Sequence, residues 1–138
     1  MVGHRMRQGI LVFCLLAATG CLLDRPTAPD GPIDRQFVLA PGQTTSVEGA
    51  AIRVRFDQVT GDSRCPADAV CIQGGDATVW ITVLAFPGSE VAYDLHTGSM
   101  QPVKHGDLTI SLVELQPYPF SSRTIAPDEY RATIRVQR

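Results

Sequence analysis

Cysteine and aspartate are the residue types of this chain whose spacing suggests chemistry. Cys14 and Cys21 lie in the N-terminal segment, and a second pair, Cys65 and Cys71, lies in a polar loop. Four aspartates flank this second pair: Asp57, Asp62, Asp68 and Asp76. Such residues can form a disulfide, carry a covalent lipid or coordinate a metal ion, and the residues around them distinguish these roles.

The sequence does not favour a metal site or a cofactor. Carboxylate oxygens are the ligands that Ca²⁺ prefers, but the four aspartates fit no EF-hand spacing and Arg64 lies among them. A zinc site would have to use His96 and His105, which lack the usual ligand spacing. We therefore expect no metal and no cofactor. Instead, we expect Asp62 and Ser63 to cap turns and Arg64 to pair with a neighbouring carboxylate.

The sequence also contains no recognisable catalytic motif. No serine stands in Gly-x-Ser-x-Gly, and Cys65 and Cys71 are too far apart for a Cys-x-x-Cys redox pair. Trp80 and Tyr118 could form a platform for a ligand, but a lone tryptophan in mid-strand more often belongs to the core. We therefore predict that the protein is not an enzyme and that Trp80 is a core residue.

The first twenty residues have the three parts of a secretory signal. A basic start with Arg5 and Arg7 is followed by an apolar run from Ile10 to Ala18 and by small residues before Cys21. The run is about half as long as a transmembrane helix needs, so a permanent membrane span is the weaker interpretation. We predict a signal peptide over residues 1–20 and therefore export.

The last residues of this signal, Leu16-Ala17-Ala18-Thr19-Gly20-Cys21, resemble the bacterial lipobox, in which diacylglycerol is joined to the cysteine before cleavage. Ala18 stands where the lipobox usually has leucine, and an ordinary signal with a free thiol is the alternative. The resemblance implies acyl chains such as palmitate on Cys21, and several chains hold a protein firmly on a membrane. Leu22 after the cysteine implies the outer membrane, at its periplasmic face or at the surface, if the host is Gram-negative.

Removal of the signal leaves an acidic chain with a pair of cysteines. Ten Lys and Arg remain against fourteen Asp and Glu, a net charge of −4. Nucleic acid needs a basic face, so we do not expect it as a partner. Cys65 and Cys71 form an even pair in an exported chain, which predicts a disulfide.

Composition divides the remaining chain into a tether and a domain. Residues 22–35 contain three prolines and no apolar periodicity, which predicts an extended tether. The lipidated Cys21 and this tether make up residues 21–35. Residues 36–138 suffice for one small core, so we predict a single domain there.

Apolar side chains in that domain alternate with a period of two, as Ile52, Val54 and Phe56 show. Seven segments are candidate strands: 37–40, 44–48, 51–57, 77–86, 91–96, 108–112 and 130–136. Turn residues separate them, and no amphipathic helix interrupts them. We therefore predict an all-β fold, an antiparallel β-sandwich of immunoglobulin-like general shape, with a small β-barrel as the alternative.

The loop around the second cysteine pair carries a signature. Asp62-Ser63-Arg64-Cys65-Pro66, Cys71 and Gly75-Asp76-Ala77 resemble the pattern of a family of small bacterial lipoproteins and secreted β-domains. The resemblance covers most of residues 50–137 and includes the turn Pro117-Tyr118-Pro119. The resemblance implies the β-fold and export from the cytoplasm, and it implies no particular mechanism.

These observations predict a membrane-anchored lipoprotein that acts as a non-enzymatic binding or structural module of the cell envelope. The alternatives are an accessory or inhibitor subunit of another envelope protein and, less favoured, a small hydrolase or metal-binding protein. Rigid loops on β-scaffolds often carry binding residues. We therefore expect residues 65–77 to contact an envelope protein. The candidate contact residues are Asp62, Arg64, Asp68, Gln73 and Asp76.

Overall fold

The structure, a computed structural model, describes residues 31–138. The predicted signal peptide, the lipidation site Cys21 and most of the predicted tether lie outside the described residues. Within residues 31–138, eight strands follow one another: β1 (Asp34–Leu39), β2 (Thr44–Ser46), β3 (Ile52–Asp62), β4 (Ala77–Ala85), β5 (Ser89–His96), β6 (Val103–His105), β7 (Leu108–Gln116) and β8 (Arg131–Gln137). A single 3₁₀ turn, Pro127–Glu129, precedes β8. Within residues 31–138 no helix has the length and apolar character needed to cross a membrane.

The strands form two four-stranded sheets, with the orders β1-β8-β7-β6 and β2-β3-β4-β5. Every paired strand is antiparallel to its neighbour. The predicted antiparallel β-sandwich is therefore confirmed, and the structure is not a closed barrel. The chain nevertheless runs through the strands in the order of an up-and-down barrel, opened along two seams, one between β1 and β2 and one between β5 and β6.

The seam between β5 and β6 is bridged by side chains. The Tyr93 hydroxyl lies 3.0 Å from Nδ1 of His105, and the two rings meet edge to face. The up-and-down order of the strands differs from that of immunoglobulin domains, in which the chain crosses between the two sheets. The likeness to immunoglobulins is thus confined to the general shape of two packed sheets.

The core lies between the sheets and is formed by the inward residues of both. Its fully buried members include Val54, Phe56, Val79, Ile81, Val83, Leu95, Ile110, Ala132, Ile134 and Val136. The alternation predicted for β3 and β4 therefore determines the buried face, as the period of a half-buried strand requires. The expectation that Trp80 is a core residue is wrong. Trp80 is 43% exposed, because the adjacent Val79 and Ile81 take the inward positions.

Several strand boundaries also differ from the sequence prediction, and the strand predicted over 108–112 continues to Gln116. β1 begins at Asp34, so the last two residues assigned to the tether belong to a strand that pairs with β8. β3 continues five residues beyond Asp57, because register shifts beside Phe56 and Val59 interrupt the alternation without ending the pairing with β4. β6, which has three residues, was not predicted.

The sandwich has two distinct poles. At the N-terminal pole, Asp34 pairs with Gln137, and the β4–β5 hairpin turns back beside Ile52. At the opposite end, the loop pole, Asp62 pairs with Ala77 and Gln116 with Arg131. Strand β8 runs between the poles, from Arg131 to Gln137, so they are separated by about 20 Å along the sheet. The chain therefore enters the domain at the end away from the disulfide loop.

Candidate functional site

The loop pole carries the disulfide loop, residues 63–76, which we call the stapled loop. Its base is closed by the backbone. The N–H of Ser63 donates to the carbonyl of Asp76 at 2.7 Å, and the N–H of Asp76 donates to the Ser63 hydroxyl at 3.1 Å. A Cβ atom at Gly75 would lie 1.5 Å from the carbonyl oxygen of Ser63, so only glycine permits this approach.

Arg64 fixes the stapled loop to the other sheet. Its guanidinium donates to the Asp62 carboxylate at 2.8 and 2.6 Å, to the carbonyl of Leu115 at 2.6 Å and to the carbonyl of Pro117 at 3.0 Å. The Tyr118 ring lies 5.4 Å from its Cζ atom. The side chains of Arg64 and Asp62 are 5% and 11% exposed. The expected pairing of Arg64 with a neighbouring carboxylate is confirmed, and both side chains of the pair are largely covered.

The electrostatics of this pair follow from its hydrogen bonds. Burial would raise the pKa of Asp62, but the hydrogen bonds and positive charge of Arg64 outweigh burial and hold that pKa below its usual range. The Tyr130 hydroxyl donates to the same carboxylate at 3.0 Å. Burial and this acceptor raise the pKa of Tyr130 to about 12. Asp62 is therefore an ionised structural acceptor under physiological conditions.

The Cys65–Cys71 disulfide, predicted from the sequence, is present with a Cα–Cα distance of 6.0 Å. It closes a short loop, for which chain entropy predicts a stabilisation of about 2 kcal/mol. Between the two cysteines, the N–H of Ala67 donates to the carbonyl of Pro119 at 2.9 Å. The Asp68 carboxylate accepts from the N–H and the hydroxyl of Ser121 at 2.8 and 2.6 Å. These Ser121 hydrogen bonds lower the pKa of Asp68.

Asp76 joins the end of the stapled loop to the segment after β5. It accepts from the N–H of Gly98 at 2.7 Å and from the Thr97 hydroxyl at 3.1 Å, and Nδ1 of His96 lies 2.7 Å from its other oxygen. Partial burial would raise the pKa of Asp76, but these contacts outweigh it and keep the pKa low. The stapled loop is thus held by three separate segments of the chain: residues 96–98, residues 115–121 and, through Asp62, Tyr130.

The four aspartates do not converge. Asp57 lies on β3 and accepts from Arg55 and Thr82, whereas Asp62, Asp68 and Asp76 each serve the different contacts described above. Within residues 31–138 no group of three or more His, Cys, Asp or Glu side chains is placed to hold a metal ion.

Most of the predicted contact residues therefore make hydrogen bonds within the protein. The side chains of Asp62 and Arg64 are largely covered, and the side chains of Asp68 and Asp76 tie the loop to its neighbours. Among the five predicted contact residues, Gln73 is exposed and makes no side-chain hydrogen bond within the described part of the chain. These polar residues were predicted as contacts because their side chains can form hydrogen bonds and ion pairs with a partner. In the structure, most of these side chains instead form such bonds within the protein and fix the loop.

Sequence reasoning missed the apolar character of the loop pole. Val70 and Ile72, on either side of Cys71, are 102% and 104% exposed. Ten large hydrophobic residues are exposed in residues 31–138. Six of them lie in the stapled loop, in the segment after β5, on β7 or in the turn after β7: Val70, Ile72, Met100, Val113, Tyr118 and Phe120. The sequence does indicate this feature, because Val70 and Ile72 are large β-branched residues in a loop of mostly polar and small residues.

A cleft of about 260 Å³ lies beside the disulfide, between the stapled loop and β7. It is lined by Arg64, Cys65, Gly74, Gly75, Thr97, Met100, Val113, Glu114, Leu115 and Tyr118. A larger cleft, of about 520 Å³, lies at the N-terminal pole between the turns around Ala51 and Phe86. It contains none of the predicted contact residues. The loop pole therefore combines a fixed loop, exposed apolar side chains and a small cleft.

These features define a disulfide-stapled β-sandwich with an apolar surface at one pole. Comparisons of the chain with protein-family models, with curated proteins and with solved structures found no match. Membership of the family suggested by the Asp-Ser-Arg-Cys-Pro signature therefore stays a prediction.

Proposed function

We propose that the protein is a lipid-anchored module of the bacterial cell envelope that binds another envelope protein through its loop pole. The observation that carries this proposal is the full exposure of Val70 and Ile72 on a loop that is fixed at several points. Exposed apolar groups that cluster on a soluble surface mark sites of interaction.

The rigidity of the stapled loop supports binding. We call residues 70–72 the tip of the stapled loop. The disulfide, the Arg64 contacts and the Asp68–Ser121 hydrogen bonds fix the backbone on both sides of this tip. Association costs less when the binding segment is already ordered, because less conformational freedom is lost. The tip is therefore suited to recognition rather than to stabilising the fold alone.

The two poles are arranged as an anchored binding module would require. The chain enters at the N-terminal pole, where β1 starts at Asp34, and the apolar tip lies at the other end. A lipid on Cys21 would hold the N-terminal pole towards the membrane. Twelve residues separate Cys21 from Asp34, which reach at most about 40 Å when extended. Such a tether would let the loop pole reach a partner away from the bilayer.

The chemistry of the surface favours a protein partner over nucleic acid and over catalysis. The chain without its predicted signal has a net charge of −4, which repels phosphate backbones. Polar groups at the loop pole that could act on a substrate, such as the Asp76–His96 pair, are engaged in hydrogen bonds that fix the loop. The pole therefore offers contact area rather than reactive groups.

The order and apolar character of the tip also favour the inhibitor alternative. A fixed loop with two projecting apolar side chains can enter the cleft of an enzyme without losing much entropy. An inhibitor would lower the activity of the partner to which it crosslinks, whereas an accessory subunit would copurify with its partner without lowering that activity.

Photo-crosslinking in cells tests the proposed surface. Amine crosslinkers are unsuitable, because Lys104 is the only lysine of the chain. A photoreactive residue at Gln73, beside Ile72, should give one adduct of defined mass. The control position is Phe86, which is 88% exposed and lies at the N-terminal pole, at the other end of the sandwich from the stapled loop. Substitution Ile72→Ser should remove the Gln73 adduct.

Adducts from Phe86 alone, or equal adducts from both positions, would contradict the assignment of the loop pole as the contact surface. The anchor is tested separately by Cys21→Ala, which should release the protein from the membrane fraction. Continued membrane association of Cys21→Ala would show that something other than a lipid on this cysteine holds the chain.

A further inference from the structure

We propose that the cleft beside the disulfide receives one apolar side chain of the partner, preferably aromatic, with a lysine or arginine next to it in the partner's sequence. This inference rests on the proposed function, because it names the chemistry that the loop pole recognises.

The size of the cleft suits a single side chain. Its volume is about 260 Å³, and sites for whole small molecules are usually larger, from about 300 Å³ upwards. An aromatic side chain contributes much contact area with little conformational entropy to lose, so it makes an efficient anchor in such a cleft.

An irregularity in β7 places an apolar and an acidic side chain side by side at the cleft. Val113 faces outward as the alternation after Leu112 requires, and a register shift between Leu112 and Glu114 leaves Glu114 outward as well and returns Leu115 to the interior. Val113 is 40% exposed, and Met100 on the facing segment is 44% exposed. Methionine adapts its shape to an inserted group, which suits a site that accepts a side chain.

The charge of the lining specifies the neighbour of that side chain. Arg64 borders the cleft, but Asp62 neutralises its charge at 2.6 Å. Glu114, which is exposed, is the other residue of the lining that is charged at neutral pH. The lining therefore has a net charge of about −1 and would favour a cation beside the inserted group.

The same charge argues against a second copy of this chain as the occupant. Val70 and Ile72 could supply the apolar group, but the loop that carries them also carries Asp68 and no lysine or arginine between its cysteines. Insertion of this tip would bring Asp68 towards Glu114, and like charges oppose such contacts. We therefore assign the cleft to a different protein.

Met100 provides a direct probe of the cleft. It is the only methionine beyond residue 20, so methyl-¹³C methionine labelling of the full chain gives one resonance from the cleft, which Met100→Leu identifies. The probes are acetyl-Phe-Arg-amide, acetyl-Phe-Glu-amide and acetyl-Gly-Arg-amide. Acetyl-Phe-Arg-amide should shift the Met100 resonance in a saturable way. Without the phenyl ring, affinity should fall about tenfold or more, and the change of Arg to Glu should weaken binding about threefold.

Two glycines give a matched pair of variants. Gly74 lines the cleft, and a Cβ atom there would meet nothing within 4 Å, so Gly74→Leu should add a bulky side chain at the edge of the cleft and hinder entry without disturbing the fold. Gly61 on β3 is equally unobstructed but does not line the cleft. Gly74→Leu should reduce the affinity for acetyl-Phe-Arg-amide about tenfold or more, whereas Gly61→Leu should leave it unchanged. Glu114→Lys should reverse the preference between the two phenylalanine probes.

The inference fails if acetyl-Phe-Arg-amide leaves Met100 unshifted, or if Gly74→Leu and Gly61→Leu bind it equally well. Binding without a preference between the Arg and Glu probes would overturn the role of Glu114. These outcomes are separate from those of the proposed function. A Gln73 adduct without peptide binding would retain the loop pole as the contact surface and discard only the cleft.

Discussion

Replacement of Arg64 by methionine tests the structural role of the internal ion pair. Methionine keeps much of the length of the side chain but removes every hydrogen bond that the guanidinium of Arg64 donates. Asp62 would remain as a largely covered carboxylate without its cation, and the carbonyls of Leu115 and Pro117 would lose a donor. Breaking a buried pair in this way costs about 3–5 kcal/mol. For a domain of this size, such a loss lowers the melting temperature by roughly 12 °C or more.

Arg135→Met is the matched control. Arg135 pairs with Asp34, but the two side chains are 41% and 53% exposed, so solvent screens this pair and its loss should change stability little. Urea denaturation of the two variants, with the disulfide intact, gives both free energies of unfolding. Similar losses in both variants, or a loss below about 1 kcal/mol for Arg64→Met, would refute the structural role assigned to the internal pair.

Three further predictions concern the same loop. The pKa of Asp62 is lower in the folded than in the unfolded protein, so Asp62 contributes stability above its unfolded pKa, and this stability is lost as the pH falls through the folded pKa. Asp62→Asn should therefore make the free energy of unfolding less dependent on pH in the acid range. An unchanged pH dependence would assign acid unfolding to other groups. Gly75→Ala should destabilise the protein by more than about 2 kcal/mol, whereas Gly74→Ala should be nearly neutral; equal melting temperatures would contradict the close approach at Gly75. Reduction of Cys65–Cys71 should cost about 2 kcal/mol, and thermal melts with and without reductant measure it.

The β-sandwich was predictable because each long strand alternates inward and outward residues along its own sequence. Ile52, Val54 and Phe56 needed no distant information to identify their buried face. β6 was missed because three residues are too few to show a period, and Trp80 was misassigned because hydrophobicity alone does not determine which face a residue occupies.

The candidate site was less predictable because its contacts are distant in sequence. Arg64 is held by the carbonyls of Leu115 and Pro117, which are more than fifty residues away. Sequence reasoning could assign Arg64 to a local carboxylate but could not show that both groups would be internal. Val70 and Ile72 were passed over for the opposite reason, because apolar residues are normally expected inside.

The entry of the chain at the pole opposite the stapled loop has a mechanical consequence. If a partner holds the loop while a lipid holds the N terminus, tension acts along the long axis of the sandwich. The six registered residue pairs between β1 and β8 would then be loaded in shear, because their hydrogen bonds lie across the strands. Bonds loaded in this way share the force instead of breaking one after another. The attachment of β1 to the centre of its sheet would thus let the domain transmit a pull between membrane and partner without unravelling from its anchored end.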